Sequence, residues 1–323
     1  MTARAPGARF PLAVVLTAAL LALHVPPAVA TCADGVRWYG TYSVGEKAGD
    51  TKIPRARRLR EVQDLGANMI VGTGKDTKVL DELPEGLLAV PGCSLMKKKD
   101  WQSADGHWSE AQARRKLAAL ADRFADHPKV YGVCITHEVT EYADHARRVW
   151  MYRLAKEYFT AKPVLQYYGL LTDTQNRQGK RVDGYGLNGE RETDILFVSL
   201  PAVAKGHFRG PDDLGRLTAA LTAAARTPGV PVWGQTSINA DNKMVTGPET
   251  MRTVWGAHGE NMSLWVDALQ RTAVPDAHGT PIRLSGFFWR SFGRFPWDLG
   301  YPAFTDHRAA MRAIRTKDCS PPS

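Results

Sequence analysis

The stretch KVYGVCITHEVTEY, Lys129 to Tyr142, decides the fold. It opens as a buried strand, with Val130, Val133 and Ile135 as branched apolar residues. It closes on ionisable side chains: His137, Glu138 and Glu141. An apolar strand running straight into a carboxylate makes sense where strand ends line a pocket. In barrels of alternating strands and helices, chemistry sits at the C-terminal ends of the strands.

The rest of the chain repeats that unit. Short apolar runs bounded by breakers fall at Val36–Ser43, Asn68–Gly74, Leu87–Ser94, the opening stretch, Pro163–Gly169, Asp194–Pro201, Val230–Ser237 and Leu284–Phe292. Helical patterns separate most of them. IPRARRLREVQDLG carries Pro54 near its start, and SEAQARRKLAALADRFADHP has Ser109 as N-cap with Gln112 in capping-box position. PETMRTVWGAHGENMSLWVDALQRT reads as helix, broken near Gly256 and Gly259. Parallel neighbours need such crossovers. Eight runs predict an α/β fold, a (β/α)₈ TIM barrel. A doubly wound open sheet is the alternative, but no Gly-rich dinucleotide fingerprint follows the first run.

The first thirty residues carry Arg4 and Arg9, a short apolar core and the small-x-small signal Ala28–Ala30. This predicts a secretory signal peptide over 1–30, cut before Thr31, and a barrel domain over 31–323. A membrane anchor is the competing reading, but the run is short and Pro26 and Pro27 break it. The mature chain is expected to be secreted, monomeric and without a membrane span. The formal net charge of +9 falls to +7 without Arg4 and Arg9. The basic residues are scattered over predicted helices, which fits solvated faces or a preference for anionic polymers. No nucleic-acid motif is present. In an oxidising compartment the four cysteines invite pairing. Cys32 and Cys319 sit at the ends of the mature chain and are expected to form a disulfide bond. Cys93 and Cys134 could pair or remain buried thiols. No spacing suggests a metal site, and no cofactor is expected.

Alternation along the fourth run puts Val133 and Ile135 under helices. It puts Gly132, Cys134, Thr136 and Glu138 towards the axis, and His137 between strand and helix or back into a loop. HPKVYGVCITHE resembles the fourth strand of many glycoside-hydrolase barrels, where a Gly-containing strand ends in the proton-donating carboxylate. GVPVWGQTS and LSGFFWRSF resemble the seventh and eighth strands of that superfamily. The resemblance implies a carbohydrate hydrolase with Glu138 as general acid/base and an aromatic floor on the last strand. The chain departs from the retaining members at Gln235, which stands where they carry a nucleophilic Glu. An amide cannot attack a sugar carbon. The second group is then an Asp elsewhere on the rim (Asp76, Asp173, Asp183 or Asp241), or an acetamido group of the substrate oriented by Gln235.

Flat sugar faces stack on aromatic rings. Tyr42, Tyr168 and Trp289 are the rings expected in the cleft, and Lys75, Lys205 and His207 are candidate contacts for an acidic sugar. Glu141 is expected to cap the following helix. HEVTE lacks the second His of the zinc-protease signature, and G-x-S-x-G is absent. Two readings remain. One is a secreted glycoside hydrolase acting on a polysaccharide or cell-envelope glycan. The other is a non-catalytic glycan-binding barrel lacking a complete carboxylate pair.

Overall fold

The computed structural model describes residues 36–48, 50–75, 77–103, 105–169, 190–200, 202–204, 207–208, 210, 214–237, 248–292 and 299–318. Eight strands form its centre: β1 (Trp38–Val44), β2 (Met69–Val71), β3 (Leu88–Val90), β4 (Val133–Thr136), β5 (Val164–Tyr168), β6 (Ile195–Ser199), β7 (Val232–Ser237) and β8 (Pro281–Phe292). They follow the order β3-β2-β1-β8-β7-β6-β5-β4, and every neighbouring pair is parallel. Parallel bridges Ala89–Val130 and Gly92–Cys134 carry the pairing from β3 to the β4 segment, so the sheet curls into a nearly closed ring. The fold is the α/β barrel that the eight apolar runs predict.

Local chemistry explains where the helices begin. Pro54 caps α1 (Arg55–Asp64) with its fixed φ. A short α2 (Lys78–Asp81) follows β2, and α3 (Lys98–Trp101) follows β3. The Ser109 hydroxyl accepts the Gln112 N–H at the start of α4 (Glu110–Phe124). The Gln112 side chain does not close the expected box; its amide donates to the Gln102 carbonyl at 3.1 Å. The Asp144 carboxylate caps α5 (His145–Lys156), accepting the Arg147 N–H at 2.9 Å. The capping role expected of Glu141 therefore falls to Asp144. After α6 (Gly215–Ala225), the helical segment beyond β7 splits into α7 (Pro248–Trp255) and α8 (Glu260–Arg271). The break falls at Gly256 and Gly259, both at positive φ, as the sequence predicts. The last helix is α9 (Thr305–Asp318).

Strand alternation divides the apolar residues into two layers. Trp38, Tyr42, Leu165, Tyr167, Phe197, Trp233 and Phe288 fill the inside of the ring. Residues of opposite parity, such as Ile70, Val133 and Leu196, pack under the helices. The ring is thus a packed core, and burying each such side chain contributes about 1.5–3 kcal/mol.

The seam of the ring is clamped covalently. Cys93 and Cys134 form a disulfide with Cα atoms 4.4 Å apart. This resolves the choice that the sequence leaves open for that pair. Cys32 and Cys319 lie outside the described residues. At the same seam, a Cβ on Gly92 would sit 2.1 Å from the Cys134 carbonyl oxygen, and its φ is +100°. The Gly92→Ala variant is expected to lose at least about 2 kcal/mol of stability, through left-handed strain and overpacking. A urea midpoint equal to wild type would show that the seam tolerates a side chain.

Candidate active site

The end of β4 does not keep the simple alternation. Cys134 pairs with Leu165, but Thr136 pairs with Gln166, so the register shifts between them. This is a β-bulge, which re-aims the residues beyond it. Up to the shift the expected parity holds: Val133 and Ile135 face the helices and Cys134 the interior. Beyond it the parity inverts. The Thr136 hydroxyl donates to Gln166 Oε1 at 3.4 Å, and the Gln166 amide donates to the Arg148 and Glu192 carbonyls in the helix-facing layer. Thr136 therefore does not face the axis. His137, expected between strand and helix or back into a loop, instead stacks on Tyr167 at the mouth, with centroids 4.8 Å apart at 23°.

Glu138 follows in the left-handed region, with φ 49° and ψ 47°. Its side chain, 27% exposed, lies with Oε2 3.8 Å from His137 Nδ1. It also crosses the end of β5: a Cβ on Gly169 would meet Glu138 Cγ at 3.1 Å. Only two described non-glycine residues have positive φ, Ser43 and Glu138. Both sit at the mouth ends of their strands, β1 and β4. Such conformations cost about 1–3 kcal/mol each and cluster at functional sites.

Tyr167 links this corner to the seventh strand. Its hydroxyl donates to Gln235 Oε1 at 2.8 Å. Burial holds the phenol well above its usual pKa, with Tyr42 and Glu138 pushing the same way and the Ser199 hydroxyl and Arg290 opposing. The hydroxyl is therefore a proton-bearing donor at all ordinary pH. It holds Gln235 Oε1 and leaves Nε2 as the amide's free donor group. Gln235 is 1% exposed, and Nε2 has no partner among the described residues. A buried donor left unmade costs about 1–3 kcal/mol, so this amide has the capacity to donate one further hydrogen bond.

Tyr42, Tyr167 and Phe197 form one aromatic group inside the mouth, with centroids 5.2–6.1 Å apart. Tyr42 also walls a pocket with Gly72, Lys75, Cys93 and Ser94. Two other expected cleft rings lie elsewhere. Tyr168 is fully buried in the helix-facing layer, and its hydroxyl donates to Glu192 Oε2 at 2.8 Å. Trp289 is also fully buried there, donating through Nε1 to the Tyr39 hydroxyl at 2.8 Å. The parity of β5 and β8 gives the interior to Tyr167 and Phe288 instead, so Tyr168 and Trp289 cannot touch a substrate.

Glu192 anchors a buried polar cluster behind β5. It accepts from Arg148 Nε at 2.9 Å and from the Tyr168 hydroxyl, and pairs with His145 Nδ1. No periodicity or motif marks this cluster in the sequence, because Glu192 sits in a polar stretch before β6. Its partners come from helix α5 and from the helix-facing side of β5, so the cluster joins helix to strand behind the ring. Asp76, Asp173, Asp183, Asp241 and Lys205 lie outside the described residues, as do the His207 and Glu141 side chains. Among the described residues no group of three His, Cys, Asp or Glu side chains is placed to hold a metal ion, and no helix is long and apolar enough to cross a membrane.

No protein-family model matches the sequence, and no curated protein matches it. Solved structures match in fold. A beta-glucuronidase from an uncultured Clostridium sp. superposes with a TM-score of 0.52 at 14% identity, over 87% of this chain and 50% of its own. The beta-D-glucuronidase of Dictyoglomus thermophilum gives 0.54 at 12% identity, over 88% and 50%. GH5_18 from Bifidobacterium longum subsp. longum, in complex with Manb1-4GlcNAc, gives 0.54 at 13% identity, over 87% and 78%. The chain spans about half the length of the two glucuronidases. At these identities the likeness is one of fold, a (β/α)₈ barrel.

A structural role for Glu138 and a functional one make opposite stability predictions. Glycine adopts the left-handed region without steric cost. Glu138→Gly is therefore expected to raise stability by about 0.5–1 kcal/mol, the left-handed penalty less the added chain entropy. A loss of stability in chemical denaturation would mean that the carboxylate is held there for packing.

Proposed function

We propose that this protein is an exported glycoside hydrolase acting on a polysaccharide or cell-envelope glycan, with Glu138 as the proton donor. The observation that carries the reading is the strained placement of Glu138. A carboxylate stands at the mouth end of β4 in a left-handed conformation, beside an aromatic group and a buried amide donor. The leader-like first thirty residues and a disulfide inside the barrel both fit an oxidising, extracellular setting. The sugar-cleaving names of the fold neighbours fit a glycan ligand.

In this mechanism Glu138 gives its proton to the glycosidic oxygen as the bond to the anomeric carbon breaks. Tyr42 supplies an apolar face, and Tyr167 keeps Gln235 Nε2 aimed at an acceptor on the sugar. Gln235 carries no carboxylate, so it neither attacks the anomeric carbon nor deprotonates water. The second group is then the substrate's own acetamido oxygen, which Gln235 is suited to orient, or one of Asp76, Asp173, Asp183 and Asp241. The amide at 235 equally favours a second reading, a glycan-binding barrel without turnover.

Reducing-end release from a panel of polysaccharides separates the two readings. The wild-type chain is expected to release ends, with Glu138→Gln slower by about 10²–10⁴-fold, the usual contribution of a general acid. Equal rates in both proteins would remove Glu138 from the mechanism. Binding without release by the wild type would favour the non-catalytic reading.

A further inference from the structure

A pocket of the mouth lies at the C-terminal ends of β1, β2 and β3. Tyr42, Gly72, Gly74, Lys75, Cys93 and Ser94 line it. Two glycines keep its floor low. Gly72 sits at φ +80°, where a Cβ would press on the Gly92 carbonyl at 3.1 Å. Gly74 sits at φ +84° with nothing within 4 Å of a Cβ position, so the chain there borders open space.

Among the described residues, the charges acting on the lysine of this pocket are mostly positive. Lys75 is half-buried on its wall and has no ion-pair partner among the described residues. Lys97 and Lys99 stand exposed on the segment after β3, and Lys116 is on α4. All three act electrostatically on Lys75, as does one carboxylate, Asp100. Asp100 is already engaged, accepting the Lys97 backbone N–H at 2.7 Å. Burial and the nearby ammonium groups hold the Lys75 pKa below its ordinary value. A partly desolvated ammonium among like charges gains most from an anion.

We propose that this pocket is a subsite for an anionic group on the glycan, a carboxylate or a phosphate, gripped by the Lys75 ammonium. Lys97, Lys99 and Lys116 add longer-range attraction, and Tyr42 offers its ring to the same sugar unit. The inference rests on the glycan reading of the mouth and narrows it to acidic polymers. Tyr42 touches both corners, through its contact with Tyr167 on one side and the pocket on the other. A chain crossing the mouth would meet the anion subsite and the Glu138 corner together.

The test is calorimetric binding by the full chain carrying Glu138→Gln, which suppresses turnover. The probes are an oligogalacturonate, a poly(glycerol phosphate) and a neutral manno-oligosaccharide. At low salt one or both anionic probes are expected to bind about 10-fold tighter than the neutral one, with the preference shrinking as salt rises. Adding Lys75→Gln is expected to weaken anionic binding by about 10-fold, the scale of one charge-assisted hydrogen bond, and to leave neutral binding unchanged. Arg226→Gln, exposed at the far end of α6, is the control and should change neither. Should Lys75→Gln fail to fold, the exposed pair Lys97→Gln and Lys99→Gln provides the same readout through a flatter salt dependence. The better of the two anionic probes identifies carboxylate or phosphate as the source. Equal affinity for anionic and neutral probes, or anionic binding indifferent to these lysines, overturns the subsite. Lys75-dependent binding without any wild-type hydrolysis would uphold the subsite and sink the proposed catalysis. Glu138-dependent hydrolysis of a neutral glycan with no anionic preference would do the reverse.

Discussion

Everything at the mouth depends on closing the seam between β3 and the β4 segment. Seven strand pairs are parallel ladders, two of them with a register shift, whereas this junction is made by two isolated bridges. Backbone hydrogen bonds hold it: Ala89 N–H to the Lys129 carbonyl, Tyr131 N–H to Ala89, Cys134 N–H to Pro91 and Met96 N–H to Ile135, all at 2.9–3.0 Å. The approach at Gly92 is too close for any side chain. The Cys93–Cys134 disulfide then ties the two strands across it. An open sheet would spread the strand ends along a line. A ring gathers them into one rim, and only then do residues from β1, β4, β5 and β7 share a cleft.

Closure alone does not place Glu138. The bulge at the end of β4 turns Thr136 away from the mouth and brings His137 onto Tyr167. Glu138 then takes a left-handed conformation that most residues avoid. Strain of this kind persists where the surroundings over-determine it, here through the stack of His137 on Tyr167 and the close contact with Gly169. Tyr167 is the common element: it supports His137, fixes Gln235 and meets Tyr42. One phenol, kept protonated by burial, thereby couples three strands of the rim.

Much of this was legible in the sequence. The eight apolar runs, the break at Gly256 and Gly259, the Ser109 cap and the position of Glu138 at a strand end all follow from periodicity and breaker residues. So does the amide at 235 in place of a carboxylate. What escaped was orientation. A bulge changes the facing of every later residue on its strand, and VCITHE carries no local mark of one. Adjacent aromatics pose the same problem: in Tyr167–Tyr168 and Phe288–Trp289, which ring enters the barrel depends on register with neighbouring strands, a long-range property. The buried cluster of Glu192, Arg148 and His145 was invisible for a related reason, since Glu192 lies 44 and 47 positions from its two α5 partners and meets them only when the segment before β6 packs against α5.

The account stands on one location for the ligand, the rim around Glu138, Tyr42 and Gln235. A crystal structure of the Glu138→Gln chain with a bound acidic oligosaccharide tests it most directly. The account predicts a sugar ring against Tyr42 and a glycosidic oxygen within hydrogen-bond reach, about 2.6–3.2 Å, of the amide at position 138. An oligosaccharide bound at the opposite end of the barrel or on the helices, with this rim empty, would contradict it.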